Sequence, residues 1–418
     1  MVIAQLSDIH AGYGATHRTT KDGVNVREWD GYVALDRMVT QICDDDTVDV
    51  VLICGDVFHT PNPSVRAVVE VQRQLRRFAA RGLPVYILTG NHDTNDIASD
   101  MAATALVDDR DRGIIAHCDP YHVHELSDGI VLHMVSHHAY RDQEDTFRDI
   151  QPVHDAVNIF TTHGSCWDPV LGVVGHTQSS PREVIIPETL LAEEEWTYRL
   201  LGHIHERGWV GSTDGHSDTS HMKTFYNGSL IRRGFADGEC ELGRGWTSWE
   251  IRPDGSMTPT CHTVPQRPQF DLPVVDATGL SGDNVTDRVL NAVSATHIQG
   301  ATDYDMTCAP LVRQRLINVS PATQHTINKE AIHQATRHAL SFAMSISRPE
   351  TETSARTLQP EASTAASHPR DMVQAFRAWK DASEVLGSLS HKNVRRHIEK
   401  DAEHFVSMSQ EAVLNQGE

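Results

Sequence analysis

Five apolar runs in the first half of the chain each end at a short polar segment, and this repeated pattern predicts five buried strands. The runs are rich in β-branched and aliphatic side chains and comprise Val2–Leu6, Val48–Ile53, Pro84–Leu88, Val157–Phe160 and Tyr198–Leu201. Runs of this length that stop at glycine or a polar residue are typical of strands buried on both faces. Strands of a parallel sheet are buried in this way.

Two amphipathic patterns separate the first three runs. Apolar residues recur at three- and four-residue spacing from Trp29 to Ile42 and from Val65 to Phe78, with Pro63 before the second pattern and Gly82 after it. Proline near the start and glycine just past the end are common helix boundaries. The order is β-α-β-α-β, so we expect an α/β fold with a parallel sheet.

The polar segments that follow the five strands hold the residues in which we expect chemistry. In chain order they are Asp8-Ile9-His10, Gly55-Asp56, Gly90-Asn91-His92-Asp93, His163-Gly164 and Gly202-His203-Ile204-His205. A parallel α/β sheet delivers the residues after its strands to one edge, where ligands bind. Carboxylate, amide and imidazole groups gathered at that edge predict a two-metal hydrolytic site.

The donor types narrow the metal and suggest separate roles. Oxygen and imidazole donors without thiolate favour Mn²⁺, Fe²⁺ or Zn²⁺, and Asp56, in the middle of the set, is the natural bridge between two ions. Two ions about 4 Å apart lower the pKa of a shared water and hold both oxygens of a phosphoester displacement. An imidazole that is not a ligand can protonate the leaving oxygen. His92 fits that role, with Asp93 either orienting it or serving as a structural turn residue.

Together the five segments resemble the motif set of the calcineurin-like metallophosphoesterases. The resemblance implies two ligand sets that share one residue: Asp8, His10, Asp56 and His205 for one ion, and Asp56, Asn91, His163 and His203 for the other. It also makes His92 the general acid. His163 is the ligand with alternatives close by in the sequence, since His154 and His176 lie near it.

Finer details resemble one branch of that family. The segment Gly55–His59, followed by Pro61 and Pro63, is similar to the Gly-Asp-Leu-Phe-His-x-x-x-Pro stretch of SbcD-type nucleases, the bacterial counterparts of the meiotic-recombination-eleven protein. Tyr226–Ser229 resembles their Tyr-x-Gly-Ser turn. The resemblance implies a manganese-dependent 3′→5′ exonuclease on double-stranded DNA ends and an endonuclease on single strands. His92 would protonate the departing 3′ oxygen, and His59 would either position the DNA backbone or be a packed core histidine.

The same resemblance implies a fold and partners. We expect an α/β, two-sheet metallophosphoesterase sandwich with flanking helices, followed by a small α+β capping domain and C-terminal helices. The expected domains are a nuclease domain over 1–265, a capping domain over 266–345, a flexible linker over 346–368 and a helical partner-docking segment over 369–418. Such nucleases form homodimers through helices that correspond to about 63–81 and 97–108 here, and they work with an SMC-like coiled-coil ATPase of the SbcC type.

Sequence patterns in the second half are weaker. Within 266–345 we expect two strands and two helices: Phe270–Val274, Asn284–Val293, Leu311–Val319, and a helix from Asn328 to about Met344. The C-terminal helices either dock a partner or pack back on the catalytic domain. About twenty residues rich in Gly, Ser, Thr and Asp separate His205 from Tyr226, so this loop could narrow the metal cleft.

The charge of the chain weakens the expectation of a DNA substrate. The formal net charge of the 418 residues is −21, whereas phosphate contacts usually come from clustered Lys and Arg. Two arginine groups are present: Arg73, Arg76, Arg77 and Arg81 on one predicted helix, and Arg232, Arg233 and Arg244 after the fifth motif. Because the net charge still disfavours a polyanionic substrate, a metal-dependent phosphodiesterase or phosphatase acting on a small-molecule phosphoester is the alternative function.

The composition also indicates where the protein is located and what most of its histidines do. No apolar run approaches the length of a membrane span, and the seven cysteines form no C-x-x-C pair, so we expect a cytoplasmic protein without a membrane partner. Most of the 26 histidines are neither ligand nor catalyst. The pair His137-His138 is expected in a loop, with its role left undecided. Surface or loop positions are expected for His117, His122, His124, His133, His216 and His221.

Overall fold

A computed structural model describes most of residues 1–349, and residues 1–347 form one compact unit. The described ranges are 1–16, 18–20, 22–95, 101–141, 143–168, 172–173, 184–191, 196–210, 223–235, 242–296 and 309–349. The expected docking segment, all but the start of the expected linker, and most of the loop between His205 and Tyr226 lie outside the described residues.

The first part of the chain alternates strands and helices in the predicted β-α-β-α-β order. Its elements are β1 (Val2–Leu6), α1 (Val26–Asp44), β2 (Val50–Ile53), α2 (Val65–Arg81), β3 (Val85–Leu88) and β4 (Ile114–His117). The next elements are β5 (Tyr121–Ser127), β6 (Ile130–Val135), α3 (Gln143–Arg148), β7 (Val157–His163), β8 (Trp167–Asp168), β9 (Gly172–Val173), α4 (Glu188–Leu191), β10 (Trp196–Gly202), β11 (Gly208–Trp209), β12 (Thr224–Tyr226), β13 (Gly245–Ile251) and β14 (Met257–Thr263). Short 3₁₀ helices span Ala103–Val107, Arg110–Arg112 and His137–Arg141.

Two six-stranded mixed sheets pack face to face. The first has the order β14-β13-β1-β2-β3-β4, with β1 to β4 parallel, and the second has the order β11-β12-β10-β7-β6-β5, with β6, β7, β10 and β12 parallel. Leu52, Leu132, Leu200 and Trp249 belong to the apolar core between them. Helices α1 and α2 cover the outer face of the first sheet. The expected two-sheet α/β sandwich with flanking helices is confirmed.

Helix α2 shows how local sequence sets the ends of these elements. The side chain of Ser64 accepts the backbone N–H of Ala67 at the start of the helix, and Gly82 ends it in the left-handed conformation, with φ of +80°. A hydroxyl cap at the start and a glycine past the end satisfy backbone groups that the helix leaves unpaired. Among the described residues, no helix is long and apolar enough to cross a membrane.

A smaller α+β layer follows the sandwich. Its elements are β15 (Gln269–Asp271), β16 (Val275–Asp276), α5 (Gly282–Ala295), β17 (Leu311–Ile317), α6 (Pro321–Thr326), α7 (Lys329–Ala335) and β18 (Ser341–Ile346). Strand β17 pairs in parallel with β15, β16 and β18. Val285, Val289, Val312 and Ile332 belong to the core of this layer.

The predicted helix from Asn328 to about Met344 is wrong in its second half. Helix α7 ends at Ala335, and Ser341–Ile346 pairs with β17 along its whole length. Phe342 and Met344, two residues apart, pack against the same core. That two-residue spacing is the period of a strand, and it overrides the helical pattern that precedes it.

Two of the histidines expected at the surface or in loops are buried in strands. His133 in β6 bonds the Tyr121 hydroxyl through Nδ1 at 2.7 Å and Asn158 Oδ1 through Nε2 at 2.9 Å. His117 ends β4 and is also buried. The surface expectation is wrong for both, because contacts with neighbouring strands bury the rings, and in His133 they satisfy both ring nitrogens. His216 and His221 lie outside the described residues.

A buried ion network joins the small layer to α1. Asp30 accepts hydrogen bonds from Arg267 Nε and Nη2 at 2.7 Å each and pairs with Arg27 on the same helix. Arg267 also donates to the Ala309 carbonyl at 2.6 Å. The three charged side chains are 10% exposed or less. One carboxylate is therefore the shared counter-ion of two guanidinium groups that are almost fully buried.

We predict that Asp30→Ala lowers the free energy of unfolding by about 3–5 kcal/mol, because it leaves two buried guanidinium groups without their counter-charge. Urea denaturation of the full chain measures this loss. Asp109→Ala is the matched control, since Asp109 pairs with Arg112 at the surface and such pairs contribute about 0–1 kcal/mol. Equal losses in the two variants would show that the buried network does not hold the layers together.

Candidate metal centre

The two sheets deliver the predicted ligands to one edge of the sandwich. Residues after β1, β2 and β3 of the first sheet meet residues at the ends of β7 and β10 of the second sheet. The structure thereby brings together Asp8, His10, Asp56, Asn91, His163, His203 and His205. The alternative to His163 that is described, His154, is an exposed residue paired with Asp155.

One group of donors surrounds the Asp8 carboxylate. Oδ1 of Asp8 lies 3.8 Å from His10 Nε2 and 3.7 Å from His205 Nε2. The two Nε2 atoms are 3.1 Å apart, and His10 Nε2 is 3.6 Å from Asp56 Oδ2. Most of these separations are too long for hydrogen bonds. They match ligands of one ion, because donors about 2.1 Å from a metal lie about 3–4 Å from each other.

A second group surrounds the Asn91 amide. Its Oδ1 lies 3.0 Å from His163 Nε2 and 3.2 Å from His203 Nδ1, and Asp56 Oδ2 lies 3.3 Å from His163 Nε2. Nδ1 of His163 donates to the Cys54 carbonyl at 2.8 Å. That bond fixes the tautomer and leaves Nε2 as the ligating atom. Asp56 is within reach of both groups, which is the position of a bridging ligand.

The donors fit a pair of divalent cations. Oδ1 of Asp8 is buried and has no hydrogen-bond partner among the described residues, while its Oδ2 accepts the backbone N–H of His203 at 3.0 Å. A buried carboxylate oxygen without a donor is costly, and it faces two imidazole nitrogens instead. Carboxylate, amide and imidazole donors suit Mn²⁺, Fe²⁺ and Zn²⁺.

The backbone carries strain at the same residues. Asp8, His10, Asp56 and His203 have φ values of +51°, +49°, +53° and +102°, and they are four of the seven non-glycine residues with positive φ in the described part of the chain. Such conformations cost on the order of 1–3 kcal/mol each and cluster at functional sites. The strain turns side chains from neighbouring strands toward a common point.

Glycine is required where the loops approach most closely. A Cβ on Gly55, which has φ of +89°, would lie 2.4 Å from His163 Nδ1, and a Cβ on Gly202 would lie 1.9 Å from the Cys54 carbonyl oxygen. No side chain fits at either place. The glycines of the Gly-Asp and Gly-His-x-His segments therefore serve the close packing of the ligands.

Burial and mutual charge set the protonation of the ligands. Burial lowers the pKa of His203 to about 3, with the charge of His163 adding to the effect. Burial opposes ionisation of Asp56, but the neighbouring imidazoles His163 and His92 hold its pKa well below the usual range. Burial likewise opposes protonation of His163, yet Asp56 raises its pKa to about 9. Asp56 is ionised at neutral pH, and a cation must displace the proton of His163.

His92 is held beside the ligands without being one of the two groups. Its backbone N–H donates to Asp56 Oδ1 at 2.8 Å, and its Nδ1 donates to the His59 carbonyl at 2.8 Å. The His59 ring stacks on the His92 ring at 5.3 Å between centroids. Since Nδ1 is engaged, Nε2 is the ring nitrogen that this bond leaves available.

Asp93 does not have the orienting role that we expected as one alternative. Its carboxylate accepts the backbone N–H groups of Phe58 and Gly90 at 2.9 Å and of Val57 at 3.3 Å. Among the described hydrogen bonds, none joins it to the His92 ring. Burial, and then the charge of Asp56, raise its pKa to about 7. Asp93 anchors the two loops that carry Asp56 and Asn91.

Sequence reasoning missed several residues around the centre. Tyr13 lies edge-on to the His59 ring at 5.1 Å, and its hydroxyl donates to the Arg233 carbonyl at 2.6 Å. Arg244 donates to the Ser229 hydroxyl at 2.6 Å and also to the backbone carbonyl of His205. In the sequence, Arg244 stands out only as a member of an arginine group. Tyr13 follows the first motif but belongs to no periodic pattern.

Three of the five arginines of α2 form ion pairs with acidic groups. Arg77 pairs with Asp36 of α1 at 3.1 Å, Arg73 pairs with Glu70 at 2.9 Å, and Arg81 pairs with Asp46. These contacts are those of a solvated helix face with local ion pairs.

We predict that Asp56→Asn weakens Mn²⁺ binding at both positions by at least about 100-fold. Loss of an outer partner of a ligand already costs 10–100-fold, and Asp56 reaches both donor groups. Equilibrium dialysis with ⁵⁴Mn²⁺ measures the number of ions and their affinities. Asp128→Asn, at an exposed turn residue, is the matched control. Two tightly bound ions in Asp56→Asn would contradict the bridging position.

Comparison with known proteins identifies relatives of this chain. The sequence pattern described as Calcineurin-like phosphoesterase matches residues 1–224. The chain is similar to the DNA double-strand break repair protein Mre11 of Thermoplasma acidophilum, with 32% identity over 87 residues, and to that of Saccharolobus solfataricus, with 25% identity over 225 residues. These matches cover 21% and 51% of this chain and the same shares of the relatives.

Among solved structures, a dimetal phosphatase from Danio rerio has 10% sequence identity and a TM-score of 0.35, and the match covers 60% of this chain and 93% of that chain. The chain thus spans from about one fifth to about half of the length of the two Mre11 relatives. The stretch matched to the family pattern is more than half of the chain and includes all seven converging residues. The protein belongs to the calcineurin-like phosphoesterase family.

Proposed function

We propose that this phosphoester hydrolase is a two-metal-dependent DNA nuclease, a 3′→5′ exonuclease on double-stranded ends and an endonuclease on single strands, with Mn²⁺ as its metal. The observation that carries the proposal is the bond between His92 Nδ1 and the His59 carbonyl. His59 ends the Gly55–His59 segment that resembles SbcD-type nucleases. The nuclease-like segment is thus the one that orients the general acid. The partial similarity to Mre11 proteins supports the same substrate class.

Each group of the chain has a distinct part in this reaction. When bound, the two ions supply Lewis acidity and lower the pKa of a water. Asp56 and Asn91 are held for ion binding by the loops that Asp93 anchors. Because the Nδ1 proton of His92 is held by the His59 carbonyl, His92 acts as an acid in its imidazolium form: Nε2 gives its proton to the departing 3′ oxygen, which as an alkoxide leaves slowly without it, and the ring returns to the neutral Nδ1–H form. His59, whose ring stacks on that of His92, positions the DNA backbone beside the general acid.

We also propose that the protein forms a homodimer. Val65 and Val69 on α2 are 81% and 53% exposed, and Met101 and Leu106 near the following 3₁₀ helix are 75% and 51% exposed. Gln72 donates to the Leu106 carbonyl at 2.9 Å, so these two segments form one surface. Several large apolar side chains exposed together favour a protein contact. This surface falls within the segments expected to dimerise, about 63–81 and 97–108.

We further propose that the chain is the nuclease subunit of an SbcCD-like DNA end-processing and repair complex. The partner is an SMC-like coiled-coil ATPase of the SbcC type, bound through residues 369–418. This part is supported by the amphipathic sequence of that segment and by the resemblance to the nucleases. The segment lies outside the described residues.

A small-molecule phosphodiesterase or phosphatase is the second candidate. The net charge of −21 and the engagement of the α2 arginines with acidic groups favour it, because both reduce attraction for a polyanion. Such a substrate would need only the metal centre and His92.

We predict that His92→Gln lowers release of a 3′ label from linear duplex DNA by about 10²–10⁴-fold with Mn²⁺. Hydrolysis of bis(4-nitrophenyl) phosphate should fall much less, since nitrophenolate leaves without a proton. Mn²⁺ binding should be retained, and Asp128→Asn should match the parent protein. An equal fall for both substrates would contradict the acid role. Chromogenic turnover without any DNA cleavage by the parent protein would favour the second candidate.

We predict that Val69→Glu converts the dimer to a monomer, because the dimer would bury a charge at the centre of its apolar contact. Size-exclusion chromatography with light scattering measures the mass. Val274→Glu, at a valine that is 43% exposed in the small layer, is the matched control and should stay dimeric. A monomeric parent protein would refute this part of the proposal.

A further inference from the structure

Three imidazoles and a carboxylate meet where the first sheet passes to the second. The sequence there is His117-Cys-Asp-Pro-Tyr-His-Val-His124. His117 ends β4, at the edge of the first sheet, and β5 begins at the edge of the second sheet. His122 and His124 are two residues apart on β5, so they share one face of the strand. That face is the one that meets His117.

The side chains are within contact distance of each other. The His117 ring centroid is 3.9 Å from that of His122 and 4.8 Å from that of His124. His117 Nε2 lies 2.6 Å from His124 Nε2, and His122 Nε2 lies 2.8 Å from Asp119 Oδ2. Donor atoms of His117, Asp119 and His122 all lie within 4.8 Å of one another.

We propose that three of these residues, which we call the edge cluster (His117, Asp119 and His122), bind one divalent transition-metal ion, with Zn²⁺ as the best match. Imidazole and carboxylate are zinc ligands, and three protein donors that leave a fourth position open are a common zinc arrangement. Ligands of such an ion lie about 3.3 Å apart when the bonds are about 2.0–2.1 Å. The 2.8 Å separation of His122 and Asp119 would open by about 0.5 Å, and the other donor separations, which are at most 4.8 Å, would close on the ion. His124 contacts the cluster through His117.

The neighbouring cysteine is not part of the edge cluster. Cys118 lies between two members in the sequence, but its sulfur is near the hydroxyl groups of Thr104, at 3.6 Å, and Thr89, at 3.8 Å. Alternate residues of an extended chain point to opposite sides, which separates its thiol from the imidazoles. The donor set is therefore nitrogen and oxygen, which suits Zn²⁺ but not a thiolate-dependent metal.

Charge and exposure at the edge cluster suit a cation. Arg110 opposes a cation, but it is paired with Asp108 at 3.2 Å, and Asp119 adds the compensating negative charge.

The edge cluster has an open side and a buried side. The Asp119 side chain is 71% exposed and that of His122 is 33% exposed, so an ion has an entry path. His117 is buried, and its Nδ1 has no hydrogen-bond partner among the described residues. Buried polar atoms without partners are uncommon and often belong to sites for an ion or water. Since β4 and β5 are the edge strands of different sheets, an ion here would cross-link the two sheets.

The test counts zinc ions on the full-length protein. Competition with a chromophoric chelator at pH 7 should give one more tightly bound Zn²⁺ in the parent protein than in His122→Asn or Asp119→Asn. His154→Asn is the matched control, since His154 is another exposed histidine paired with an aspartate. The same comparison in an Asp56→Asn background separates the edge cluster from the metal centre.

Thermal unfolding supplies a second readout. Zn²⁺ should raise the melting temperature of Asp56→Asn, and this rise should be lost in Asp56→Asn/His122→Asn. Circular dichroism without metal verifies that His122→Asn folds, and Asp119→Asn removes a donor without altering a strand. Equal zinc counts in the parent, His122→Asn, Asp119→Asn and His154→Asn would overturn the proposal.

Discussion

The approach of Asp56 to His163 is the contact on which the metal centre depends, because the two residues come from different sheets. Asp56 follows β2 of the first sheet and His163 ends β7 of the second, and their donor atoms are 3.3 Å apart. This distance is reached only because residue 55 has no side chain, since a Cβ there would lie 2.4 Å from the His163 ring. The sandwich core brings the sheets together, and the glycine lets the polar ends of their strands meet.

That arrangement places strain and charge at the same point. Four of the converging residues have positive φ, at a cost on the order of 1–3 kcal/mol each. In the metal-free protein the ion pair of Asp56 with protonated His163 offsets part of this cost. The His163 part of this contribution is complete below the ordinary histidine pKa of 6.5 and is lost as the pH rises through about 9, whereas the Asp56 part is lost in acid, as the pH falls through the lowered pKa of that carboxyl. Divalent ions replace that proton, so metal binding and folding are thermodynamically linked.

The sequence predicts the strands and the ligands for one physical reason: buried strands are short apolar runs, and their carboxyl ends share an edge. β1 and β3 lie where the pattern predicts them, and the five motifs meet. Features that depend on contacts between distant elements were not predictable. The burial of His133 depends on Tyr121 and Asn158, and the anchoring role of Asp93 depends on backbone groups of two loops. The strand at Ser341–Ile346 was not predictable either, because it is defined by pairing with β17, which lies about thirty residues away in the sequence.

The distribution of positive charge limits how this chain could hold a polyanion. Its net charge is −21, and many of its arginines are committed within the fold. Arg27 and Arg267 share Asp30, Arg73 and Arg77 contact acidic residues of α1 or α2, and Arg244 bonds the His205 carbonyl. Few phosphate contacts give weak binding that changes little with salt. Within the part of the chain that the structure describes, bound divalent ions would then be the strongest positive charges that a phosphodiester meets, so the same centre would supply both binding and catalysis.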